Sequence, residues 1–243
     1  MVPESRPKPR KISHKNARDA LRRVRLFQGL TATQLKWLAE RAQIREIESD
    51  ERIVGYDFPS TSVFFLLRGT VKICAQRRFD HEVVFDILGP GEAIGDLHAI
   101  DGAGHSANVV TLETSCVASL SCAEFREALV LITPLSQNLI AMLARRLRRR
   151  TGQAEILAAL DVCGRLAYHL LLYAEDYGVR ENDGLLLPLH LSQTELGGLI
   201  GASRERVNRA LNYFRRQNYL TLRADGYIVI HDTVALSQRH PRL

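Results

Sequence analysis

The 243-residue chain is 46% hydrophobic with a formal net charge of +6 at pH 7, enough apolar content for a core and enough length for one large or two ordinary domains. No apolar run is long enough to span a membrane, and the basic, polar N-terminus lacks the apolar centre of a secretion signal. Cys74, Cys116, Cys122 and Cys163 are scattered without a C-x-x-C pair, which argues against disulfide or metal sites and fits reduced thiols in a cytoplasm.

Residues 1–25 concentrate the charge. Arg6, Lys8, Arg10, Lys11, Lys15, Arg18, Arg22, Arg23 and Arg25 stand against Glu4 and Asp19, an excess larger than the +6 of the whole chain. With Pro3, Pro7 and Pro9 the first dozen residues read as disordered, and 1–25 as a whole is assigned as a basic, disordered extension. It is either a solvated tail or a non-specific arm for a polyanion.

Residues 26–132 read as a sensor-like domain. Thr31 opens a short helix, with Gln34 at the capping-box position and Leu35, Trp37 and Leu38 on its apolar face. Short apolar runs follow at 53–54, 63–67, 71–73, 83–85, 109–110 and 117–118. Gly55, Gly69, Gly89, Gly91, Gly102 and Gly104 punctuate them, which predicts an antiparallel roll or barrel. A long helix then starts near Thr133-Pro134, where proline suits the first turn. Its spacing of Ile140, Leu143, Leu147, Ala154 and Leu157 approaches a heptad seam, so 133–160 is expected to be a dimerisation helix and hinge.

Residues 161–236 carry the sharpest signal. Asp161 caps a helix through Leu166, Leu170 and Leu171 that ends near Gly178. Ser192 caps a second helix, with Glu195 in the capping-box position, and Ser203 caps a third after a turn at Gly201. At about 100° per residue, Arg204, Asn208, Glu205 and Arg209 share one face, while Val207, Ala210, Leu211 and Phe214 lie opposite. Arginine can fork onto guanine O6 and N7, and glutamate can accept from cytosine N4. Two short strands around Ala224-Asp225-Gly226 complete a winged helix-turn-helix, and 237–243 is left as a tail. The predicted class is therefore α+β: an N-terminal antiparallel β-roll, a long helix and a C-terminal winged helix-turn-helix. An enzyme is not expected, because G-x-S-x-G, P-loop and H-E-x-x-H patterns are all absent, so no catalytic or metal residues are assigned.

This order of parts, with Pro90-Gly91-Glu92-x-Ile94-Gly95-Asp96-Leu97 and Gly201-Ala202-Ser203-Arg204-Glu205-x-x-x-Arg209, resembles the cyclic-AMP receptor protein/fumarate-nitrate regulator (Crp/Fnr) family of bacterial transcription regulators over roughly residues 26–235. The resemblance implies a cytoplasmic, nucleoid-associated homodimer, activator or repressor, on double-stranded DNA, with RNA polymerase as a further partner and no membrane. It implicates Arg204, Glu205 and Arg209 in reading TGTGA-type half-sites, with Asn208 on the same face. Ser192, Gln193, Thr194 and Ser203 stand where phosphate contacts are expected.

The effector pocket departs from the pattern. The cyclic-nucleotide branch carries Gly-Glu-Leu, whose glutamate takes the ribose hydroxyl, and then Arg-Ser or Arg-Thr, whose arginine takes the cyclic phosphate. This chain has Gly95-Asp96-Leu97 and, after a loop one residue shorter, His105-Ser106-Ala107. Arg150-Thr151 stands where a Thr-Ser or Thr-Asn pair would meet the base. A neutral imidazole replaces a permanently charged fork, a loss of a few kcal/mol by order of magnitude. Three outcomes stay open: weaker binding of cyclic AMP through Ser106 and backbone N–H groups around Gly95, another anionic effector using Arg150, or a degenerate pocket in an effector-independent DNA-binding or architectural protein. No cofactor is required in any of them. The iron–sulfur branch is disfavoured because no cysteine precedes Cys74. Haem ligation by His81 or His98 is disfavoured too, and Cys116 and Cys122 read as small apolar residues of the roll.

Overall fold

The computed structural model describes residues 14–56, 60–76 and 82–239; the disorder expected of the first dozen residues lies outside them. The chain forms two compact units, residues 1–73 with 87–145, and residues 74–86 with 146–243.

In the first unit, α1 (His14–Leu21), a 3-10 turn (Arg25–Phe27) and α2 (Ala32–Arg41) precede β1 (Gln43–Ile47), β2 (Arg52–Val54), β3 (Ser62–Arg68), β4 (Val71–Gln76), β5 (Glu82–Leu88) and β6 (Ala93–Ile94). Then come α3 (Asp96–Asp101), β7 (Asn108–Thr111), β8 (Ser115–Ser121), α4 (Cys122–Leu131) and α5 (Thr133–Ala159), which continues into the second unit. The strands make two sheets, β1-β8-β3-β6 and β2-β7-β4-β5. The pairs β1–β8, β3–β8, β3–β6 and β2–β7 are all antiparallel, which is the roll read from the alternation of apolar runs and glycines.

Strand β3 shows why its run Val63–Leu67 is continuously apolar. Val63 and Phe65 join a core with Leu21, Phe27, Leu38, Phe125 and Leu135. Phe64 and Leu66 point the other way, into a second cluster with Ile53, Val71, Val109 and Val117. Alternate side chains of one strand thus fill opposite faces. The helix starts form as their sequences dictate. Thr31 and Gln34 make the reciprocal capping box, and Ser121 with Glu124 makes a second one that opens α4.

The extension is corrected by the structure. Residues 14–25 are not a disordered arm: Ala17, Leu21 and Val24 are buried in the main core. Ala17 and Leu21, four residues apart, share one face of α1, and Val24 follows in the turn before the 3-10 segment; the surrounding arginines hide this pattern in the sequence. Arg25 N–H donates to the Gly91 carbonyl at 3.0 Å, and Gly91 must be glycine there. Its φ is +96°, and a Cβ would stand 3.1 Å from the Arg23 carbonyl oxygen.

In the second unit, α6 (Val162–Tyr177) begins at Asp161, whose side chain accepts from Gly164 N–H. Next come β9 (Val179–Glu181), β10 (Gly184–Leu187), α7 (Gln193–Ile200), α8 (Arg204–Arg216), β11 (Leu220–Leu222), β12 (Ile228–Ile230) and α9 (Thr233–Ser237). The sheet order is β11-β12-β10-β9, so the expected wing hairpin gains a second hairpin as its neighbour. Leu166, Leu170, Leu196, Ile200, Val207, Leu211 and Phe214 are buried. Among the described residues no single helix is long and apolar enough to cross a membrane.

Candidate nucleic-acid interface and effector site

The helix-turn-helix is fixed by three local devices. Ser192 accepts from Glu195 N–H at 3.2 Å and Ser203 from Arg206 N–H at 3.4 Å, satisfying helix-start donors. Gly201 closes α7 in the left-handed conformation, φ 64° and ψ 45°. At Gly197 a Cβ would lie 2.7 Å from the Ala202 carbonyl oxygen, so the turn can close only over a bare backbone.

Helix α8 sorts its side chains as the helical angles require. Val207, Ala210, Leu211 and Phe214 are buried, and Arg204, Glu205, Asn208 and Arg209 are exposed together. Hydrogen bonds from Ser203 and from its own backbone N–H hold the Glu205 carboxyl below its ordinary value, helped by Arg204 and Arg209. It therefore stays an acceptor at neutral pH. Asn208 accepts from Asn212, whose own carbonyl oxygen accepts from Arg215 at 3.3 Å, so the Asn208 side chain is held in place on the exposed face. Thr194 is exposed at the start of α7, and the Gln193 Oε1 is buried without a hydrogen-bond partner. Arg206 and Arg209 also line a pocket of about 320 Å³ with Asp161, Val162, Cys163 and Ala210.

The wing is tied to the neighbouring hairpin by contacts that no local sequence pattern signals. Arg223 on the wing bonds Glu181 of β9 at 2.9 Å, and His231 bridges Thr221 and the Asp183 carbonyl. The turn Asn182-Asp183-Gly184 was the available hairpin signal.

The candidate effector residues divide between the two units. In the roll, Gly95 adopts φ 81° as the residue before α3. A Cβ there would meet the Ser62 carbonyl oxygen at 3.2 Å and His105 Cε1 at 3.5 Å. Asp96 is 2% exposed and Ala107 is buried, whereas Leu97 and Ser106 are exposed. His105 stacks obliquely on His98 at 5.1 Å between ring centroids, and burial first, then His98, lowers its pKa below the usual value. In the second unit, the Arg150 guanidinium is engaged by the Phe85 carbonyl at 2.5 Å, Gln153 at 2.7 Å and Asp86 at 3.2 Å. Tyr173 donates to the other Asp86 oxygen at 3.2 Å, and the Thr151 hydroxyl donates to the Leu147 carbonyl.

Comparison with known proteins agrees with this anatomy. Residues 44–130 match the cyclic nucleotide-binding domain and residues 164–239 the Crp-like helix-turn-helix domain. The chain is 28% identical to the CRP-like cAMP-activated global transcriptional regulator of Mycobacterium tuberculosis (strain ATCC 25618 / H37Rv), over 91% of its own length and 98% of that protein. It is 26% identical to the cAMP-activated global transcriptional regulator CRP of Escherichia coli O157:H7, over 82% and 95% of the two chains. Its fold is similar to that of FixK2 from Bradyrhizobium japonicum, with a TM-score of 0.73, 21% identity and coverage of 83% and 98%. With both domain models matched in order, and with relatives of this kind along nearly its whole length, the chain belongs to the Crp/Fnr family of DNA-binding transcription regulators and is not an enzyme.

Proposed function

We propose that the chain acts as a homodimer on a palindromic TGTGA-like site, with Arg204 and Arg209 reading guanines and Glu205 reading cytosine. The observation that carries this is the exposed Arg204–Glu205–Arg209 face on a helix whose opposite side is locked in the core. Ser192, Gln193, Thr194 and Ser203 stand at helix starts, where hydroxyls and N–H groups suit phosphate oxygens. Asn208, held by Asn212, lends a further polar contact.

Pairing is supported by Ile140, Leu147 and Leu157 on α5, which are 67%, 70% and 51% exposed. Such large apolar groups on one long helix favour a second copy of that helix. Two recognition helices about 34 Å apart would then enter successive major grooves. The relatives are named as cAMP-activated. For this chain we infer an anionic effector, cyclic AMP among the candidates, held in the roll by Gly95, Asp96, Leu97, His105, Ser106 and Ala107. RNA polymerase contact is a family expectation. No cofactor is needed for DNA binding.

The test is fluorescence anisotropy on a TGTGA palindrome and on a scrambled duplex across a salt series. Specific binding should survive competitor DNA. Equal affinity for every sequence would replace this reading with a sequence-independent architectural role.

A further inference from the structure

We propose that His98 and His105 form a proton-coupled seat for a phosphodiester in the β-roll, one imidazole donating a hydrogen bond and the other taking up a proton as the anion arrives. This rests on the reading that the roll holds an anionic effector. Residues 79–125 contain no lysine or arginine at all. An anion held by α3 and the loop that follows it therefore has only imidazoles in its own segment to supply positive charge.

The two rings have different jobs. His98 Nδ1 accepts from Gly104 N–H at 3.0 Å, which leaves Nε2 as the nitrogen that carries the N–H and can donate. His105 carries no such bond; its Nε2 is buried without a hydrogen-bond partner. The ring lies against the bare backbone of Gly95, 3.5 Å from where a Cβ would begin, with the Ser106 hydroxyl exposed next to it. A covered nitrogen without a partner gains a charge-assisted bond when an anionic oxygen arrives.

The charges around the seat set the sign of the coupling. On α3 stand Asp96, which is buried, His98, and Asp101, whose carboxylate accepts from Ala103 N–H at 2.9 Å. On α4, Arg126 donates to the Ala99 carbonyl at 3.0 Å. β3 contributes the Ser62 carbonyl at Gly95, and β7 begins with the neutral Asn108. In the free protein burial, then the neighbouring His98, lowers the His105 pKa and so favours its neutral form. A bound phosphodiester reverses that balance, so binding takes up a proton and strengthens as pH falls.

Isothermal titration calorimetry of the full chain with cyclic AMP tests this, because the cyclic phosphodiester stays singly charged across the range. Measurements at pH 6, 7 and 8, in two buffers of different ionisation enthalpy, should give proton uptake and affinity about tenfold stronger at pH 6 than at pH 8. His105→Arg should bind more tightly than wild type with affinity independent of pH, and His105→Gln should lose both affinity and pH dependence. Wild-type binding without proton uptake and equal at pH 6 and 8 would overturn the seat while leaving the anion site intact. Binding by His105→Arg alone would overturn it as well. Silence from wild type and His105→Arg at every pH would remove the anionic-effector reading itself.

Discussion

Replacing Glu92 by glutamine should weaken the first unit selectively. Glu92 is 3% exposed and lies 2.9 Å from the Arg25 guanidinium and 3.7 Å from that of Arg145. It thereby ties the 3-10 turn after α1 and the long helix α5 to the strand entering β6. Removing one partner of a buried ion pair costs about 3–5 kcal/mol. Here Arg145 is more than a third exposed, so water recovers part of that loss and about 2–4 kcal/mol is expected. Urea unfolding followed by fluorescence reads this unit alone, because Trp37 is the single tryptophan and packs against its core. With a slope of about 2 kcal/mol per molar urea, the midpoint should fall by about 1–2 M. An unchanged midpoint would show that Glu92 does not clamp these elements together.

Three further outcomes follow from the same structure. His169 is 3% exposed, its Nδ1 has no hydrogen-bond partner, and burial, with Arg150, lowers its pKa to about 4. The unfolded chain therefore takes up a proton first, and this contribution to stability is complete above about pH 6.5 and drains away toward pH 4. By order of magnitude that loss is about 3 kcal/mol, so acid unfolding of His169→Phe should lose this component. If the variant tracks wild type through that window, His169 is not the titrating group. Gly197→Val should abolish DNA binding by forcing the turn against the Ala202 carbonyl, read by anisotropy alongside circular dichroism; retained affinity would refute that constraint. Leu147→Glu should shift the chain toward monomer in sedimentation velocity, and an undisturbed dimer would move the interface away from α5.

The parts legible in the sequence are those set by neighbours along the chain. Caps at Thr31, Asp161, Ser192 and Ser203, the stripe of α8 and the left-handed Gly201 depend on residues within a turn or two. The strand runs were legible for the same reason, since β3 is buried on both faces. What escaped depends on distant contacts. Ala17 and Leu21 on α1, with Val24 after it, are masked by arginines, and the Glu92 pairing joins residues 25, 92 and 145 with no local period. The engagement of Arg150 by Phe85 and Asp86 likewise arises from a hairpin more than sixty residues away. The His98–His105 pair needed the fold as well, because only the loop closed by Gly102 and Gly104, both at positive φ, brings the rings together.

Helix α8 is the element proposed to read the DNA sequence. Anisotropy at one fixed salt concentration, comparing a TGTGA palindrome with its scrambled counterpart, tests it most directly. The palindrome should be preferred at least about a thousandfold, with Arg204→Ala and Arg209→Ala each giving up about 1–3 kcal/mol of that preference. Equal binding of the two duplexes, or a preference untouched by either substitution, would contradict it.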